Sequence, residues 1–229
     1  MKKEKKTNNQ EELPSSRLSI EKQLEVLKTF AVIHQTKGTG SNYKNIASQV
    51  GVNATAVSDC LKFWSGNGLL EGSRGTYTPS NSLIEFNQRI QWGDENSALQ
   101  ILRDTLQNSW FITELKIKFQ VKNNISQDEL KQMLGLASKI SKKDTATMTA
   151  LNNLIELLEK IKVIKKDDDG NYSNNSDLSS EEKQIMVSDS DDMIQVMIED
   201  ELYAINVTEI KEFVLSKGKK LSKTIQKVD

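Results

Sequence analysis

Few side chains of this 229-residue chain could make or break bonds. It holds one cysteine, Cys60, and one histidine, His34. A structural zinc site usually takes several Cys or His ligands, so none is expected. Nucleophilic catalysis at Cys60 would need a base beside it, and no second histidine is available to supply one. His34 continues one apolar stripe and Cys60 flanks another, so both read as packing residues. As an EF-hand loop with Gly170 in sixth place, the run Asp167-Asp168-Asp169-Gly170 would put Lys165 first and Ser176 twelfth, where acidic oxygens are required. The run reads instead as a hairpin turn, with Asp169-Gly170 a strong two-residue signal between strand-like arms. No phosphate loop, no GxGxxG after a strand and no serine elbow is present. The chain is expected to be no enzyme and to carry no cofactor and no metal.

Composition sets the frame around these residues. Hydrophobic residues make up 36% and charged residues 28%, enough for compact cores under a well-solvated surface. A lone cysteine excludes an intramolecular disulfide and fits a reducing cytoplasm, the expected location. The longest apolar runs, such as Phe30 to Ile33, fall far short of the roughly 20 residues of a membrane span. "MKKEKKTNNQEELPSS" has no apolar segment behind its charges, so it is not a secretory signal, and residues 1–17 read as a disordered arm. Net charge is -1, with +2 on residues 18–82 and on 97–176, and -5 on 177–229. Mildly basic segments precede an acidic one, which permits a polyanion partner without demanding one. Aromatic residues are 6% and are not interleaved with basic ones, which argues against a stacking platform for single strands.

The elements that would position any site follow from periodicity. Ile20, Leu24, Leu27, Ala31 and His34 keep the 3.6-residue period of an amphipathic helix, which Gly38 and Gly40 end. Asn42 can cap a short helix carrying Ile46, Ala47 and Val50. Gly51 then suits a left-handed bend, Val52 plugs the turn, and Asn53 can cap a helix with Val57, Leu61 and Trp64 on one face. "SGNGLLEGSRGTYTPS" reads as a helix end, a strand, a glycine-rich hairpin and a second strand. Three helices and a hairpin in this order, over Ile20–Ser80, resemble the winged helix-turn-helix superfamily.

A second copy follows. Ile46-x-x-x-Val50-Gly51-Val52 recurs 84 residues on as Leu130-x-x-x-Leu134-Gly135-Leu136, and Gly75-x-Tyr77 recurs 95 residues on as Gly170-x-Tyr172. About 11 extra residues thus separate turn from hairpin, and "ASKISKKD" is the obvious place for them. Gly51 and Gly135 are expected at equivalent bends. Ser126 and Glu129 have capping-box spacing, and "TATMTALNNLIELLEKIKVI" is a long amphipathic helix. "ELKIKFQVK" alternates like a strand, yet Phe111, Ile112, Leu115 and Phe119 favour the helix that a repeat requires.

The expected fold is therefore mainly α with small β-hairpins: tandem winged-helix domains plus a C-terminal β-hairpin/helix extension. Its parts are the arm 1–17, a first domain 18–82, a connecting helix 83–96 packing Leu83, Phe86, Ile90 and Trp92, and a second domain 97–175. An acidic linker 176–192, a hairpin plus helix 193–218 and a basic tail 219–229 complete the chain. In the hairpin, Ile194, Val196 and Ile198 face Tyr203, Ile205 and Val207. Thr208 can cap the helix of Ile210, Phe213 and Val214.

The resemblance implies a use. A helix of this kind reads double-stranded DNA by entering the major groove, which is about one helix wide. On helix 53–64 the groove-facing candidates are Asn53, Thr55, Ala56, Ser58, Asp59 and Lys62, with Lys44 and Arg74 toward the backbone. Asp59 would be repelled there. The second copy offers Asn152, Asn153, Glu156 and Glu159 beside the acidic turn Asp167–Asp169, so it is expected to serve packing, dimerisation or partner binding. Lys139, Lys142 and Lys143 could touch phosphates. A transcription regulator is the first expectation. The alternative is a tandem winged-helix protein-protein adaptor in a chromosome-organising or other multi-subunit assembly. Double-stranded DNA is the expected partner, with a homodimer or protein partner held through the second domain or residues 193–218. No membrane partner is expected.

Overall fold

The computed structural model describes residues 11–73, 75–140 and 144–175, and the backbone of four later strands. The chain is mainly helical with small antiparallel sheets, and residues up to Asn175 form one compact body. Helix α1 (Ile20–Lys37) starts where the Ser19 hydroxyl accepts from the Lys22 N–H, and it buries Ile20, Leu24, Leu27, Phe30 and Ala31. Strand β1 (Ser41–Asn42) leads to α2 (Tyr43–Val50), capped by the Asn42 side-chain Oδ1, which accepts from the Lys44 N–H at 2.9 Å. The Asn53 side chain caps α3 (Ala54–Gly66) in the same way, at 2.8 Å from Thr55 N. Strands β2 (Leu70–Ser73) and β3 (Thr76–Pro79) form a hairpin, and β1 adds to β3 with Ser41 opposite Tyr77.

The same succession recurs further along. Helix α6 (Trp110–Val121) is followed by β4 (Asn124–Ile125), α7 (Gln127–Ala137), α8 (Thr145–Lys160), β5 (Ile164–Lys166) and β6 (Tyr172–Asn174). The sheet orders match as well: β1-β3-β2 in the first copy and β4-β6-β5 in the second, with Ile125 opposite Tyr172. The helix reading of 111–119 therefore holds. Phe111, Ile112, Leu115 and Phe119 fall on its buried face.

The copies differ in detail. Gly51 ends α2 with φ 72°, but Gly135, expected at the matching bend, lies inside α7. Leu134, Leu136 and Ala137 are good helix formers, so the helix runs on past the glycine. The chain turns instead at Lys139, with φ 57°. Leu136, matched by spacing to Val52, is consequently 72% exposed and plugs nothing. Ser126 caps α7 through Glu129 N, but the Glu129 carboxylate does not complete a capping box; it pairs with Lys118 and Lys122 of α6. The second hairpin turn is also wider than two residues. Asp167 accepts the Asn171 N–H on its carboxylate at 2.7 Å and closes a five-residue loop.

Two other expectations are corrected. Residues 83–96 are not one connecting helix: α4 (Asn81–Gln91) ends before Trp92, and Asp94 caps α5 (Glu95–Leu106) at 3.1 Å from Ser97 N. Leu83 and Phe86 are buried as expected, but Trp92 is 88% exposed. Residues 11–17 are not a loose arm either. Pro14 and Ser15 are buried and Leu13 packs against the core. Residues 1–10 lie outside the described set.

Residues from Ser176 form a separate compact unit. The expected hairpin is present as β8 (Met193–Ile198) and β9 (Glu201–Asn206), with Ile198 opposite Glu201. It is not alone: β7 (Ile185–Val187) and β10 (Ile225–Lys227) extend it to four strands in the order β10-β9-β8-β7. A two-stranded hairpin is marginal in water, and the flanking strands relieve that. Segments read as an acidic linker and a basic tail thus each contribute a strand. Val207 and the expected helix at 208–218 lie outside the described residues.

Candidate nucleic-acid interface

Helix α3 divides by its period. Ala56, Val57, Cys60, Leu61, Phe63 and Trp64 face the core, while Thr55 and Lys62 are exposed and Ser58 and Asp59 half-buried. Ala56 is a correction to the expected groove-facing set. It shares the side of Cys60 and Phe63 at the i, i+4, i+7 spacing and is 6% exposed, so it cannot reach a base edge. Asn53 is exposed, although its carbonyl oxygen is engaged by the cap. Lys44 stands exposed on the first turn of α2. Lys139 is exposed at the turn after α7. Arg74, Lys142 and Lys143 lie outside the described residues.

The far half of the outward stripe of α3 faces a strap made by residues 11–17. Arg17 Nε sits 2.9 Å from Asp59 Oδ2, which pairs the one carboxylate on this face. The Glu11 N–H donates to the Ser138 carbonyl at 3.1 Å, anchoring the other end beyond α7. Between strap, α3 and the start of α8 lies an open cleft of about 520 Å³, with Glu11, Glu12, Asp59, Lys62, Ala146 and Thr147 among its walls. Asn53, Thr55 and Ser58 are not part of that cleft.

Beneath the strap is a buried amide network that spacing alone did not suggest. Gln23 Nε2 donates to the carbonyls of Ser15 and Leu18, at 3.0 and 2.9 Å. Asn153 Nδ2 on α8 donates to the same two carbonyls, at 2.7 and 2.9 Å. Gln23 Oε1 accepts from Trp64 Nε1 on α3 at 3.3 Å. One turn of chain therefore ties α1 and α3 of the first copy to α8 of the second. Phe63 stacks on Phe111 at 5.8 Å and adds an apolar joint between the copies.

Helix α8 is accordingly occupied from within. Ala150, Leu151, Asn153, Leu154, Ile155, Leu157 and Leu158 are all buried. Glu156 shares a hydrogen bond with Glu21 of α1, while Lys160 Nζ approaches Glu21 at 3.9 Å. Burial, with the Glu21 hydrogen bond and charge next, raises the Glu156 carboxyl above its ordinary value. Glu21 is held low, chiefly by a backbone hydrogen bond. Helix α8 thus packs within the chain, and of its outward candidates only Asn152 is fully exposed.

The chemistry-bearing residues are quiet. Burial, with the neighbouring Asp59 charge second, pushes the Cys60 thiol up to about 12, and its Sγ donates to the Val57 carbonyl at 3.1 Å. His34 is half-buried, with Nδ1 3.3 Å from the Thr39 carbonyl. Among the described residues no three His, Cys, Asp or Glu side chains are grouped to hold a metal ion. No described helix is long and apolar enough to cross a membrane.

Compared with known proteins, the chain matches no family model and no curated protein.

Proposed function

We propose that residues 20–79 and 110–174 are two winged helices, and that the chain is a non-enzymatic, double-stranded-DNA-binding transcription regulator. The repeated element order and sheet order support the assignment of the fold. One observation carries the choice of reader: Asn53 and Thr55 at the start of α3 are exposed and lie outside the strap cleft, with Ser58 half-buried beside them, whereas the corresponding helix α8 is packed on α1. A helix about 10 to 12 Å across can enter the major groove by its first turns, which the strap leaves clear. Asn53, Thr55 and Ser58 would hydrogen-bond base edges, and Lys44, Lys62 and Arg74 would meet phosphates. Pairing with Arg17 removes the repulsion that Asp59 alone would exert.

Fluorescence anisotropy of the full chain with mixed-sequence duplex, from about 50 to 200 mM salt, tests this reading. Lys44→Ala with Lys62→Ala should weaken binding and flatten the slope of log K against log salt by about 1.8. Absence of binding at the low-salt end, or an unchanged slope, rejects it.

A second reading has its own observation. Between α7 and α8 runs a cleft of about 510 Å³ walled by Gly135, Leu136, Ile140, Met148 and Leu151, with Asp128 and Lys131 at its edge. Such a groove suits the apolar side of a partner helix, as an adaptor in a chromosome-organising or other multi-subunit assembly would use. Leu136→Glu should abolish capture of a stoichiometric protein partner while leaving duplex binding intact.

A further inference from the structure

Helix α4 turns Leu83, Phe86 and Asn87 inward. Asn81, Ile84, Glu85, Gln88 and Trp92 fall on the opposite side, within about 100° at 100° per residue, and line one shallow groove with Arg89 and Asp94. Trp92 dominates this face. It is 88% exposed, whereas Trp64 is fully buried and Trp110 half-buried. Its exposure is not that of a frayed end. The Trp92 N–H donates to the Gln88 carbonyl at 3.1 Å, Gly93 N to Ile90 at 3.1 Å and Asp94 N to Arg89 at 2.9 Å. A tryptophan buries on the order of 200 Å² when it finds a partner, and Trp92 shares its groove with Ile84, so the two form one apolar strip held on a fixed backbone.

We propose that this stripe is a two-fold interface on which a second copy of the chain seats its own α4 antiparallel. The charges choose the occupant. Glu85 lies toward the N-terminal side of the stripe and Arg89 toward the C-terminal side. Antiparallel pairing about an axis near Gln88 sets Trp92 of one copy on Ile84 of the other, and Glu85 within a turn of the opposing Arg89. A two-fold interface must be self-complementary in this way, whereas a strongly acidic partner would meet Glu85 and Asp94 with repulsion and a strongly basic one would meet Arg89 likewise. Parallel pairing would oppose Glu85 to Glu85. Arg89 has contacts to exchange: its pairs with Glu85 and Asp94, at 3.8 and 3.7 Å, are longer than hydrogen bonds, and its side chain is 49% exposed. One helix face buries less than the roughly 1,600 Å² of a standard interface, so the dimer is weak and reversible.

Sedimentation equilibrium of the full chain, from about 1 to 200 µM, spans the range of a weak reversible dimer and tests the proposal. A reversible monomer–dimer equilibrium is expected. Trp92→Ala should raise the dissociation constant at least tenfold. Glu85→Arg and Arg89→Glu should each weaken the dimer, and the two together should restore it to within about threefold of wild type. These positions are on the surface, so an unchanged far-ultraviolet circular dichroism spectrum is expected throughout. The proposal is overturned if the wild-type chain stays monomeric at 200 µM, if Trp92→Ala leaves the dimer intact, or if the double reversal recovers nothing.

Discussion

Gln23 and Asn153, 130 positions apart in sequence, donate their side-chain amides to the same two carbonyls, those of Ser15 and Leu18. A carbonyl has two lone pairs, and here each is met by one amide from either copy. Removing one donor leaves each carbonyl partly satisfied. Removing both leaves two buried acceptors without partners. Asn153→Leu should therefore cost about 1 kcal/mol, Gln23→Leu about 2 kcal/mol or more because it also strands the buried Trp64 Nε1, and the double variant should exceed their sum by about 1 kcal/mol or more. Urea unfolding midpoints read this directly. Simple additivity would mean that the two amides do not share their acceptors in solution.

Gly51 and Gly135 are equivalent in sequence spacing but not in backbone. Gly51 has φ 72°, which an L side chain rarely adopts, so Gly51→Ala should cost about 1 kcal/mol or more even though the space beyond it is open. Gly135 is helical, and a methyl there would meet Leu151 Cδ1 at 3.6 Å, an ordinary contact. Gly135→Ala should be neutral or stabilise by up to about 1 kcal/mol. Thermal unfolding of the two variants decides the matter, and equal losses would restore Gly135 to the bend.

This contrast shows which features were legible in the sequence. Caps at Asn42, Asn53 and Ser126 are local, so a polar residue ahead of an apolar period revealed them. The hairpins whose return strands carry Tyr77 and Tyr172 were also legible, because turn residues separated two strand-like runs. Helix ends set by continuing propensity were not: Leu136 and Ala137 carry α7 past a glycine that resembled a stop. Ala56 was misplaced because the cap at Asn53 drew attention to the whole first turn, although its spacing to Cys60 put it on the core side. The amide network joins residues as far as 138 positions apart. Its only sequence trace was a Gln among Ile20, Leu24 and Leu27 and an Asn between Leu151 and Leu154, polar groups on apolar faces that needed partners.

Cys60 offers a test of packing without disturbing it. Its thiol is buried and pushed up to about 12, so almost no thiolate exists near pH 8 and no reagent reaches the sulfur while the fold is closed. Iodoacetamide at pH 8 should modify it at least about a hundredfold more slowly in the native chain than in urea. Mass spectrometry over time gives both rates. Rapid native labelling would place the sulfur at the surface, contrary to its contact with Val57.

The Glu21–Glu156 pair sets a pH dependence whose sign can be worked out. Glu156 is raised above its ordinary value of 4.5, first by burial and then by its hydrogen bond to Glu21 and the charge there. A carboxyl with a raised folded value stabilises the fold below its unfolded value, and that stabilisation is lost as pH climbs through the folded one. Glu21 runs the other way: lowered in the fold, it stabilises above 4.5 and loses that contribution in acid. Glu156→Gln keeps a neutral hydrogen-bonding group at the joint while Glu21 stays ionised. It should stabilise the chain at pH 7 by a few tenths to about 1 kcal/mol, the smaller figure reflecting solvent screening at a half-buried site. The gain should shrink as pH falls toward 4.5 and vanish below it, where wild-type Glu156 is itself protonated. Urea midpoints from pH 4 to 8 for both chains would show the curves converging in acid. Parallel curves would mean that Glu156 ionises without penalty against α1.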